Sequence, residues 1–402
     1  MITHRCQVCS SSKLTTIIDL GYHPLADTFL SEKQLTKGGP SYPLRVLQCS
    51  QCGFTTLYCI VPAEKRYQES DYSYTSSNSS VAIKHFTDMA DQIIERQAIT
   101  KDNLVVDIGS NDGTLLQSFK EKTQCNVIGV EPSKNIALQA TNKGIPSIND
   151  FFNHNVVTQI SKDYENAKII TATNVFNHIT DLNTFLSDIY RLLSDDGVFV
   201  IETPYLLHLV RNYSFDTIYL EHVSYFSIRP FRELFRKHKL YIQYFEENDY
   251  MGGSIRLYVG KGKEATSIVE DAIAREDAAM IHDVKTYVDF ENKIQALKNK
   301  LLKEIQAIKE KNGKIIGIGA ATKGNTLLNY CGIDATMLDF ITDQSPLKIG
   351  RYTPGSNILI KSDEDITPDI THALILPWNI GGFLKEKLKH LNLEFIIPRI
   401  NK

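Results

Sequence analysis

Two pairs of cysteines near the start of the chain have the spacing of metal ligands. Cys6 and Cys9 form one C-x-x-C pair, and Cys49 and Cys52 form the other. Each C-x-x-C turn places two thiolates on one side of an ion, so two such turns supply the four sulfur ligands of a tetrahedral zinc ion. Four sulfur ligands leave no open position for a substrate, and we therefore predict a structural zinc site. The alternative is four free or redox-paired cysteines.

A glycine-containing loop provides the second chemical signal. The sequence VVDIGSNDG begins at Val105 and is typical of a buried strand, a tight turn and the start of a helix. Glycine permits positive φ angles and close approach of a ligand to the main chain, and a helix N-terminus offers unpaired N–H groups. The loop is therefore either a ligand-binding loop or only a tight structural turn. Its candidate binding residues are Asp107, Gly109, Asn111, Asp112 and Gly113.

An acidic residue stands at the end of the next predicted strand. Glu131 follows the predicted strand at 126–130 and precedes Pro132. At this point of a doubly wound sheet, a carboxylate can accept hydrogen bonds from both hydroxyls of a ribose. Asn111 stands where a dinucleotide fingerprint has a second glycine, and Asp112 adds negative charge beside the ribose. This pattern suits a cationic sulfonium better than a pyrophosphate, so we predict S-adenosylmethionine as the cofactor.

Two further segments contain side chains that can move protons. NVFNH, from Asn174 to His178, follows a predicted strand, which places Asn174 at the cofactor crevice. YLEHVSYF begins at Tyr219 and contains Glu221 next to His222, where a carboxylate can orient or polarise an imidazole. His178 and His222 are therefore candidate catalytic residues. Five other histidines are interpreted as structural: His4, His23, His85, His154 and His208.

Alternating strands and helices are predicted to position these groups. We expect strands at 104–108, 127–130, 169–172 and 198–203, and helices at 115–120, 136–143 and 182–193. Repeated strand and helix units indicate a parallel sheet with helices on both faces, and its ligand crevice lies at the carboxyl ends of the strands. The polar run 72–80 before this sheet is either a linker or, because it contains two tyrosines, a loop that covers the crevice.

A second α/β region is predicted in the last third of the chain. The stretch 264–311 lacks glycine and proline and predicts a long helix or a helix pair. Strands are then expected at 314–319, 340–342, 373–376 and 395–397. The loop after the first of these contains Lys323 and Asn325, which could contact phosphate, although a purely structural loop is equally consistent.

Composition sets the broad class of the protein. The chain has 402 residues, 42% hydrophobic content and a net charge of -3. Its basic residues form no runs, which argues against nucleic acid or anionic membranes as partners. No apolar run reaches 18 residues, so we expect a cytoplasmic protein, a monomer or a small homo-oligomer. The other three cysteines are interpreted as small buried hydrophobic residues: Cys59, Cys125 and Cys331.

Several unrelated motifs in one order resemble a known family. They are the two C-x-x-C pairs, Y-x-Y-x-S-S at 72–77, DIGSNDG, NVFNH, YLEHVSYFS, GGSIR at 252–256, GIGAATKGNTLLNYCGI at 317–333, GRYTPG at 350–355 and LPWN at 376–379. Together they resemble the S-adenosylmethionine-dependent C-methyltransferases that act on nucleotide-linked 4-keto-deoxysugars, of the tetronitrose-pathway type. The resemblance covers essentially the whole chain.

The resemblance implies an α/β protein in three parts. These are an N-terminal zinc-binding module (1–70), a central Rossmann-like methyltransferase domain (71–263), and a long helix with a C-terminal Rossmann-like domain that binds the nucleotide sugar (264–402). The implied substrate is a nucleotide-diphosphate keto-deoxysugar, methylated at a carbon, C3, next to the ketone. Its implied binding residues are Lys323, Asn325, Arg351 and Tyr352.

The implied mechanism is the formation of an enolate by a base. A ketone at C4 acidifies the C3 proton, so a base can remove it before methyl transfer. His222 is the implied base, Tyr219 and Glu221 position it or the sugar, His178 stabilises the enolate or holds the substrate, and Tyr74 closes over the site. In the family a histidine commonly precedes the glycine pair of GGSIR, whereas this chain has Met251, so the sugar is the less defined part of the prediction.

Two other functional classes remain open at this level. A nicotinamide-dependent oxidoreductase or epimerase acting on nucleotide sugars is loosely consistent with two glycine loops and a tyrosine-rich site, although Asn111 argues against it. A non-catalytic zinc-bearing scaffold is consistent with the four cysteines alone. The cluster of titratable groups at 219–222 argues against the scaffold.

Overall fold

Three β-sheets organise the part of the chain that the computed structural model describes, residues 1–36, 39–68 and 73–400. A four-stranded sheet lies mainly in the N-terminal region, a seven-stranded sheet is central, and a five-stranded sheet is C-terminal. The predicted α/β class is confirmed. None of the helices within these residues has both the length and the apolar character of a membrane span.

The N-terminal region is a small antiparallel sheet next to the cysteine pairs. Its elements are β1 (Leu14–His23), α1 (Glu32–Leu35), β2 (Tyr42–Cys49), β3 (Thr55–Leu57) and α2 (Ala63–Tyr67). Strands β1 and β2 form a hairpin, and β3 continues the sheet beside β2. The long gap between the two cysteine pairs therefore contains the β1–β2 hairpin, which brings the pairs together.

The four paired cysteines form one cluster. Their Sγ atoms all lie within 4.8 Å of one another, and the Cys6–Cys52 and Cys9–Cys49 pairs are 3.5 Å apart. A tetrahedron with zinc–sulfur bonds of about 2.3 Å has edges of about 3.8 Å, so this donor set fits zinc. The other three cysteines are buried outside the cluster, which agrees with their interpretation as small hydrophobic residues.

The central region contains the predicted doubly wound sheet. Its elements are α3 (Ser80–Gln97), β4 (Leu104–Ile108), α4 (Thr114–Thr123), β5 (Asn126–Val130), α5 (Lys134–Asn142), β6 (Ser147–Ile148), α6 (His154–Asp163), β7 (Ala167–Thr173), α7 (Leu182–Leu192), β8 (Leu193–Pro204), α8 (Leu206–Arg211), β9 (Ser224–Tyr225), α9 (Ile228–Lys237), β10 (Tyr241–Asn248) and β11 (Ser254–Gly260). Its strand order is β10-β11-β8-β7-β4-β5-β6. Strands β4 to β8 are parallel, and β10 and β11 are antiparallel additions at one edge.

The C-terminal region is a helix pair followed by a parallel sheet. Its elements are α10 (Thr266–Ala278), α11 (Val284–Glu310), β12 (Ile315–Ile318), α12 (Thr322–Cys331), β13 (Ile341–Thr342), β14 (Ile360–Lys361), β15 (His372–Ile375), α13 (Gly381–Lys387) and β16 (Glu394–Ile396). The strand order is β14-β13-β12-β15-β16, all parallel. The apolar stripe of α11 is buried at Phe290, Ile294, Leu301, Ile305 and Ile308, as its helical spacing predicts.

One short strand joins the N-terminal sheet to the rest of the protein. Strand β9 lies in the YLEHVSYF segment of the central region, yet it pairs with β3, with Thr55 opposite Tyr225 and Thr56 opposite Ser224. The Thr56 hydroxyl also donates a hydrogen bond of 2.9 Å to the carbonyl of Val223. The N-terminal sheet therefore fixes the backbone of a candidate catalytic segment.

The cysteine cluster lies at one end of the sheet that contains β1, β2, β3 and β9. Loss of the metal should therefore destabilise the chain. We expect Cys52→Ser to lose zinc and to lower the melting temperature by roughly 5–10 °C, since metal binding contributes directly to folding. Metal analysis and calorimetry test this. Cys125→Ala is the matched control, because it changes a buried cysteine outside the cluster and should keep its zinc. Full zinc content in Cys52→Ser would contradict the assignment.

Candidate active site

The loop after β4 adopts a conformation that its glycines make possible. Gly109 has φ +65° and Gly113 has φ +81°, and Asn111 between them is also left-handed, with φ +51°. A Cβ atom at Gly109 would lie only 2.3 Å from Cγ2 of Val175. The loop therefore needs glycine at Gly109 both for its backbone angle and for close packing against the segment after β7.

Glu131 and Asp107 lie at the same edge of the sheet as this loop. The Glu131 carboxylate accepts hydrogen bonds from the backbone N–H groups of Asn111 (3.1 Å) and Ser133 (2.8 Å), and burial raises its pKa. Asp107 accepts a 2.6 Å hydrogen bond from the Thr171 hydroxyl, and burial raises its pKa to about 7. Both carboxyls are thus fixed at the carboxyl ends of their strands, where the sequence analysis places them.

Asn174 begins the connection after β7 at this same edge. Its φ is +54°, and its backbone N–H donates a 2.7 Å hydrogen bond to the carbonyl of Glu202 at the end of β8. This left-handed residue turns the chain away from the sheet. The following residues then lead to His178 through the short 3-10 helix Phe176–His178.

Asp112 has a different environment from the one expected. Its carboxylate is fully buried and accepts hydrogen bonds from Ser77, from the Thr114 hydroxyl (2.7 Å) and from Lys143 (2.7 Å). Although burial by itself would raise it, these hydrogen bonds hold the pKa of Asp112 below its usual value. The negative charge is therefore paired within the protein, and the assignment of Asp112 as a cofactor contact stays a prediction.

The polar run before α3 lies across the glycine loop. The Asn111 side chain accepts a 2.9 Å hydrogen bond from the backbone N–H of Ser76 and donates one of 3.1 Å to the carbonyl of Tyr74. Ser77 donates hydrogen bonds to the carboxylate of Asp112. These contacts favour the interpretation as a covering loop over that of a free linker, and they place Tyr74 beside the glycine loop. Tyr72, at the start of the run, lies outside the described residues.

The orientation of His222 is set by a backbone carbonyl. Nδ1 of His222 lies 2.8 Å from the carbonyl oxygen of Thr217. Because a carbonyl can only accept, Nδ1 carries the hydrogen and Nε2 has the free lone pair. Within the described residues no hydrogen bond reaches Nε2. The ring of Tyr219 lies against the imidazole, with centroids 3.8 Å apart.

His178 lies beside His222, and both imidazoles are neutral at pH 7. Their ring centroids are 4.8 Å apart with an interplanar angle of 82°. Burial, followed by the charge of Arg66, lowers the pKa of His178 to about 3. Burial also holds the pKa of His222 well below its usual value, and His178, Lys323 and Arg66 add to this effect. A neutral imidazole with a free Nε2 lone pair can act as a base.

Glu221 does not contact the His222 ring. Its Oε1 accepts a 3.1 Å hydrogen bond from the backbone N–H of Asp27, and its Oε2 is buried without a partner among the described residues. Burial, followed by the charge of Asp27, raises the pKa of Glu221 to about 7. Thr217, rather than Glu221, orients His222, and the Glu221 carboxyl is left to hold a proton or a ligand.

Two of the C-terminal candidates lie at the start of α12. Lys323 is 9% exposed and donates hydrogen bonds to the carbonyl of Met251 (3.1 Å) and to Oδ1 of Asn379 (3.0 Å). Burial lowers its pKa. Asn325 is buried and donates a 2.6 Å hydrogen bond to the carbonyl of Ala26. Lys323 thus joins the GGSIR turn to the C-terminal sheet, and Asn325 joins that sheet to the N-terminal region.

Arg351 and Tyr352 lie further along the C-terminal region. The backbone of Tyr352 pairs with Leu30 through two hydrogen bonds of 2.8 Å. In the part of the chain described, no hydrogen bond or ion pair joins either side chain to His222 or Lys323. Their assignment as substrate contacts stays a prediction.

Sequence reasoning missed several residues that build this site, besides Thr217. Two of them come from the N-terminal region: Asp27 contacts Glu221, and Arg66 contacts the carbonyl of His178. Two others form a pair, because Asp216 accepts a 2.6 Å hydrogen bond from the indole of Trp378. Asp27 and Arg66 are 194 and 112 positions from the residues that they contact, so no local pattern marks them. Trp378 was part of the LPWN motif, but no role followed from that motif alone.

Comparisons with known proteins identify the family. A family model described as "C-methyltransferase C-terminal domain" matches residues 249–398, "Methyltransferase domain" matches 83–243, and "Putative zinc binding domain" matches 6–67. C-methyltransferase NovU of Streptomyces niveus is 31% identical over 401 residues, which cover 98% of this chain and 94% of NovU. The chain belongs to the C-methyltransferase family. The predictions of an S-adenosylmethionine-dependent C-methyltransferase and of zinc binding are thereby confirmed.

Two solved structures show a partial similarity to this chain. An S-adenosylmethionine-dependent methyltransferase from Clostridium acetobutylicum has a TM-score of 0.37 and 15% identity, covering 46% of this chain and 95% of that one. Cyclopropane synthase MmaA2 from Mycobacterium tuberculosis has a TM-score of 0.34 and 15% identity, covering 44% of this chain and 68% of that one. Because both TM-scores lie below 0.5, we draw no conclusion from them.

Family membership decides between the functional classes that the sequence left open. A C-methyltransferase takes its methyl group from S-adenosylmethionine rather than using a nicotinamide cofactor, and it is an enzyme rather than a non-catalytic scaffold. The exact domain boundaries and the roles of individual site residues stay predictions, and the structure supplies the contacts from which they can be tested.

The close packing at Gly109 predicts a cofactor-binding defect. We expect Gly109→Ala to weaken S-adenosylhomocysteine binding at least about tenfold in calorimetric titration, because the new methyl group collides with Val175 and distorts the loop. Gly144→Ala is the matched control: Gly144 has φ +82°, but no atom lies within 4 Å of an added Cβ. Equal affinities of the two variants would contradict a role for this loop geometry.

Burial of Glu221 predicts a pH-dependent stability. Its pKa is raised in the folded state, so the stability it contributes is full below about pH 4.5, the usual pKa, and is lost as the pH rises through about 7. We expect Glu221→Gln to match the wild type near pH 5 and to be more stable at pH 8 by on the order of 2–3 kcal/mol. Chemical denaturation at both pH values measures this. If Glu221→Gln raised the stability by the same amount at both pH values, the raised pKa of Glu221 would be contradicted.

Proposed function

We propose that this C-methyltransferase methylates a carbon, most simply C3, of a nucleotide-linked 4-keto-6-deoxyhexose. The observation that carries the proposal is the pair of neutral imidazoles, His178 and His222, held 4.8 Å apart at the junction of the three regions. Carbon is a poor nucleophile until a proton has been removed from it. A ketone next to the reacting carbon makes that removal possible, and a neutral buried imidazole is a suitable base.

The base in this proposal is Nε2 of His222. The Thr217 carbonyl holds the Nδ1–H group, which leaves the Nε2 lone pair available. His222 takes the C3 proton, and the electrons of the C–H bond move into the C3–C4 bond while the ketone oxygen becomes negative. Bound S-adenosylmethionine supplies the electrophilic methyl group, which the C3 carbon takes with loss of S-adenosylhomocysteine.

A hydrogen-bond donor is needed where the negative charge develops. His178 is adjacent to His222 and can place an N–H group at the ketone oxygen, which in a water-poor site stabilises the enolate strongly. Tyr219 covers one face of His222, and we assign it to holding the sugar against that imidazole. Tyr74 lies next to Asn111 of the cofactor loop, and we assign it to closing the site.

The diphosphate of the substrate is assigned to the C-terminal region. The carboxyl edge of the parallel sheet carries Lys323 on α12, and the loop after β13 carries the half-buried Arg351 and Tyr352. Cationic groups at such an edge suit a diphosphate. Asn325 is bound to Ala26 in this structure, so we assign it to joining the regions around the substrate.

Mass spectrometry with a panel of thymidine- and guanosine-diphosphate 4-keto-6-deoxyhexoses tests the proposed substrate class. The expected product carries one additional methyl group. With S-adenosylhomocysteine in place of the methyl donor, enolate formation predicts uptake of one deuterium at C3 from heavy water. Methylation at oxygen, or turnover without C3 exchange, would refute the enolate mechanism.

The base assignment gives a separate prediction. We expect His222→Asn to lower both methyl transfer and deuterium uptake at least about a hundredfold, the usual contribution of a general base. Binding of S-adenosylhomocysteine should be unchanged, because no hydrogen bond or ring contact joins His222 to the described loop residues 109–113. His390→Asn changes an exposed histidine and serves as the control. Normal deuterium uptake in His222→Asn would assign the base elsewhere.

A further inference from the structure

The end of helix α2 places two neighbouring residues of the zinc-binding region against His178. The Arg66 guanidinium donates hydrogen bonds to the carbonyls of His178 (3.2 Å) and Glu221 (3.1 Å), and to the Thr180 hydroxyl (3.2 Å). The hydroxyl of Tyr67 lies 2.6 Å from Nδ1 of His178. Arg66 thus fixes the backbone of both catalytic segments, whereas Tyr67 contacts the imidazole itself.

The contact with Tyr67 bears on the position of the proton in His178. A neutral imidazole has one N–H donor and one acceptor nitrogen, and the partner of one nitrogen decides the state of the other. A phenol keeps its proton at neutral pH, and burial raises the pKa of Tyr67 further, so its hydroxyl is able to donate a hydrogen bond to Nδ1. When the phenol donates to Nδ1, the hydrogen of His178 must be on Nε2.

We propose that Tyr67, a residue of the zinc-binding region, is a positioning residue that holds His178 as its Nε2–H tautomer. Two adjacent imidazoles then have opposite roles: Thr217 leaves His222 with a bare Nε2, and Tyr67 leaves His178 with a protonated Nε2. One is a proton acceptor and the other is a hydrogen-bond donor. The use of this donor for an enolate oxygen rests on the proposed function, whereas the tautomer itself does not.

The zinc-binding region therefore completes the active site. It supplies the backbone N–H of Asp27 to Glu221, the Thr56 hydroxyl to the carbonyl of Val223, and the Arg66–Tyr67 pair to His178. These contacts come from three separate parts of the region, which the cysteine cluster and the small sheet hold together. A metal remote from the chemistry can in this way determine the state of a catalytic side chain.

The opposite hydrogen-bond direction is the competing arrangement. If Nδ1–H of His178 donated to the phenol oxygen, both catalytic imidazoles would have bare Nε2 atoms, and no imidazole N–H group would be available for a ketone oxygen. The geometry of the pair is the same in both cases, so a measurement of the proton position must separate them.

Nitrogen NMR of the full-length zinc-loaded protein, labelled with 15N-histidine, makes that measurement. His178→Gln assigns the His178 signals by their loss. In the wild type we expect the shifts of an Nε2–H imidazole, with a protonated Nε2 and a bare Nδ1. Shifts of an Nδ1–H tautomer would overturn the proposal, whatever the outcome of any activity assay. This test needs no substrate, so it stands even if the proposed keto-sugar reaction fails.

A variant links the tautomer to catalysis. We expect Tyr67→Phe to mix the two tautomers of His178 and to lower kcat roughly 10- to 100-fold, while KM for the keto-sugar nucleotide changes less than about twofold, because the lost donor acts on the transition state. Tyr58→Phe is the control, since it removes a hydroxyl from the same region that has no hydrogen bond to the described residues. An unchanged His178 spectrum with unchanged kcat in Tyr67→Phe would refute the positioning role. Melting temperature and zinc content confirm that both variants are folded.

Discussion

The buried guanidinium of Arg66 is the interaction on which the arrangement of the site depends. It is 5% exposed and donates to the carbonyls of Val61, His178 and Glu221, which belong to the zinc-binding region and to two separate segments of the central region. A buried cation is tolerated only when its donors are satisfied, and the planar guanidinium can serve several acceptors at once. The segments that carry His178 and His222 are therefore held at a fixed separation, and the cysteine cluster contributes by holding the region from which Arg66 comes.

The electrostatics around the imidazole pair follow from this cation and from burial. Burial lowers the pKa of both imidazoles and keeps them neutral, the charge of Arg66 adds to this effect at both rings, and Lys323 adds to it at His222. Glu221 and Asp27 are buried close to each other, and burial raises the pKa of each. Near neutral pH the site thus holds two uncharged imidazoles beside the carboxyl group of Glu221, whose pKa of about 7 leaves it partly protonated. In such surroundings a negative charge that develops on a substrate oxygen interacts strongly with any donor aimed at it.

The glycine-loop side of the candidate site has its own constraint. The glycine loop must turn sharply after β4 and also pack against Val175, and its polar side chains are used to hold the covering loop. Asn111 stands where a dinucleotide fingerprint has its second glycine, and its side chain has a structural role there because it makes hydrogen bonds to the backbone of Tyr74 and Ser76. The expectation that Asp112 offers charge to the cofactor came from its position in the sequence, whereas in the fold Lys143 pairs with that charge.

Local sequence pattern was sufficient to predict the paired cysteines, the turn of the glycine loop and most of the parallel strands of both α/β regions, although it did not predict β6, β10, β11 or β14. It also named Glu131, His178 and His222 as candidates, whose roles stay predictions. These features depend on spacing, apolar periodicity and the rule that ligands bind at the carboxyl ends of parallel strands. The sequence could not give the partners that set the protonation of those candidates. Thr217, Tyr67, Arg66 and Asp27 act through single hydrogen bonds between segments as many as 194 positions apart. Only the tertiary structure brings such segments together, because their approach results from the packing of three sheets rather than from any local preference of the chain.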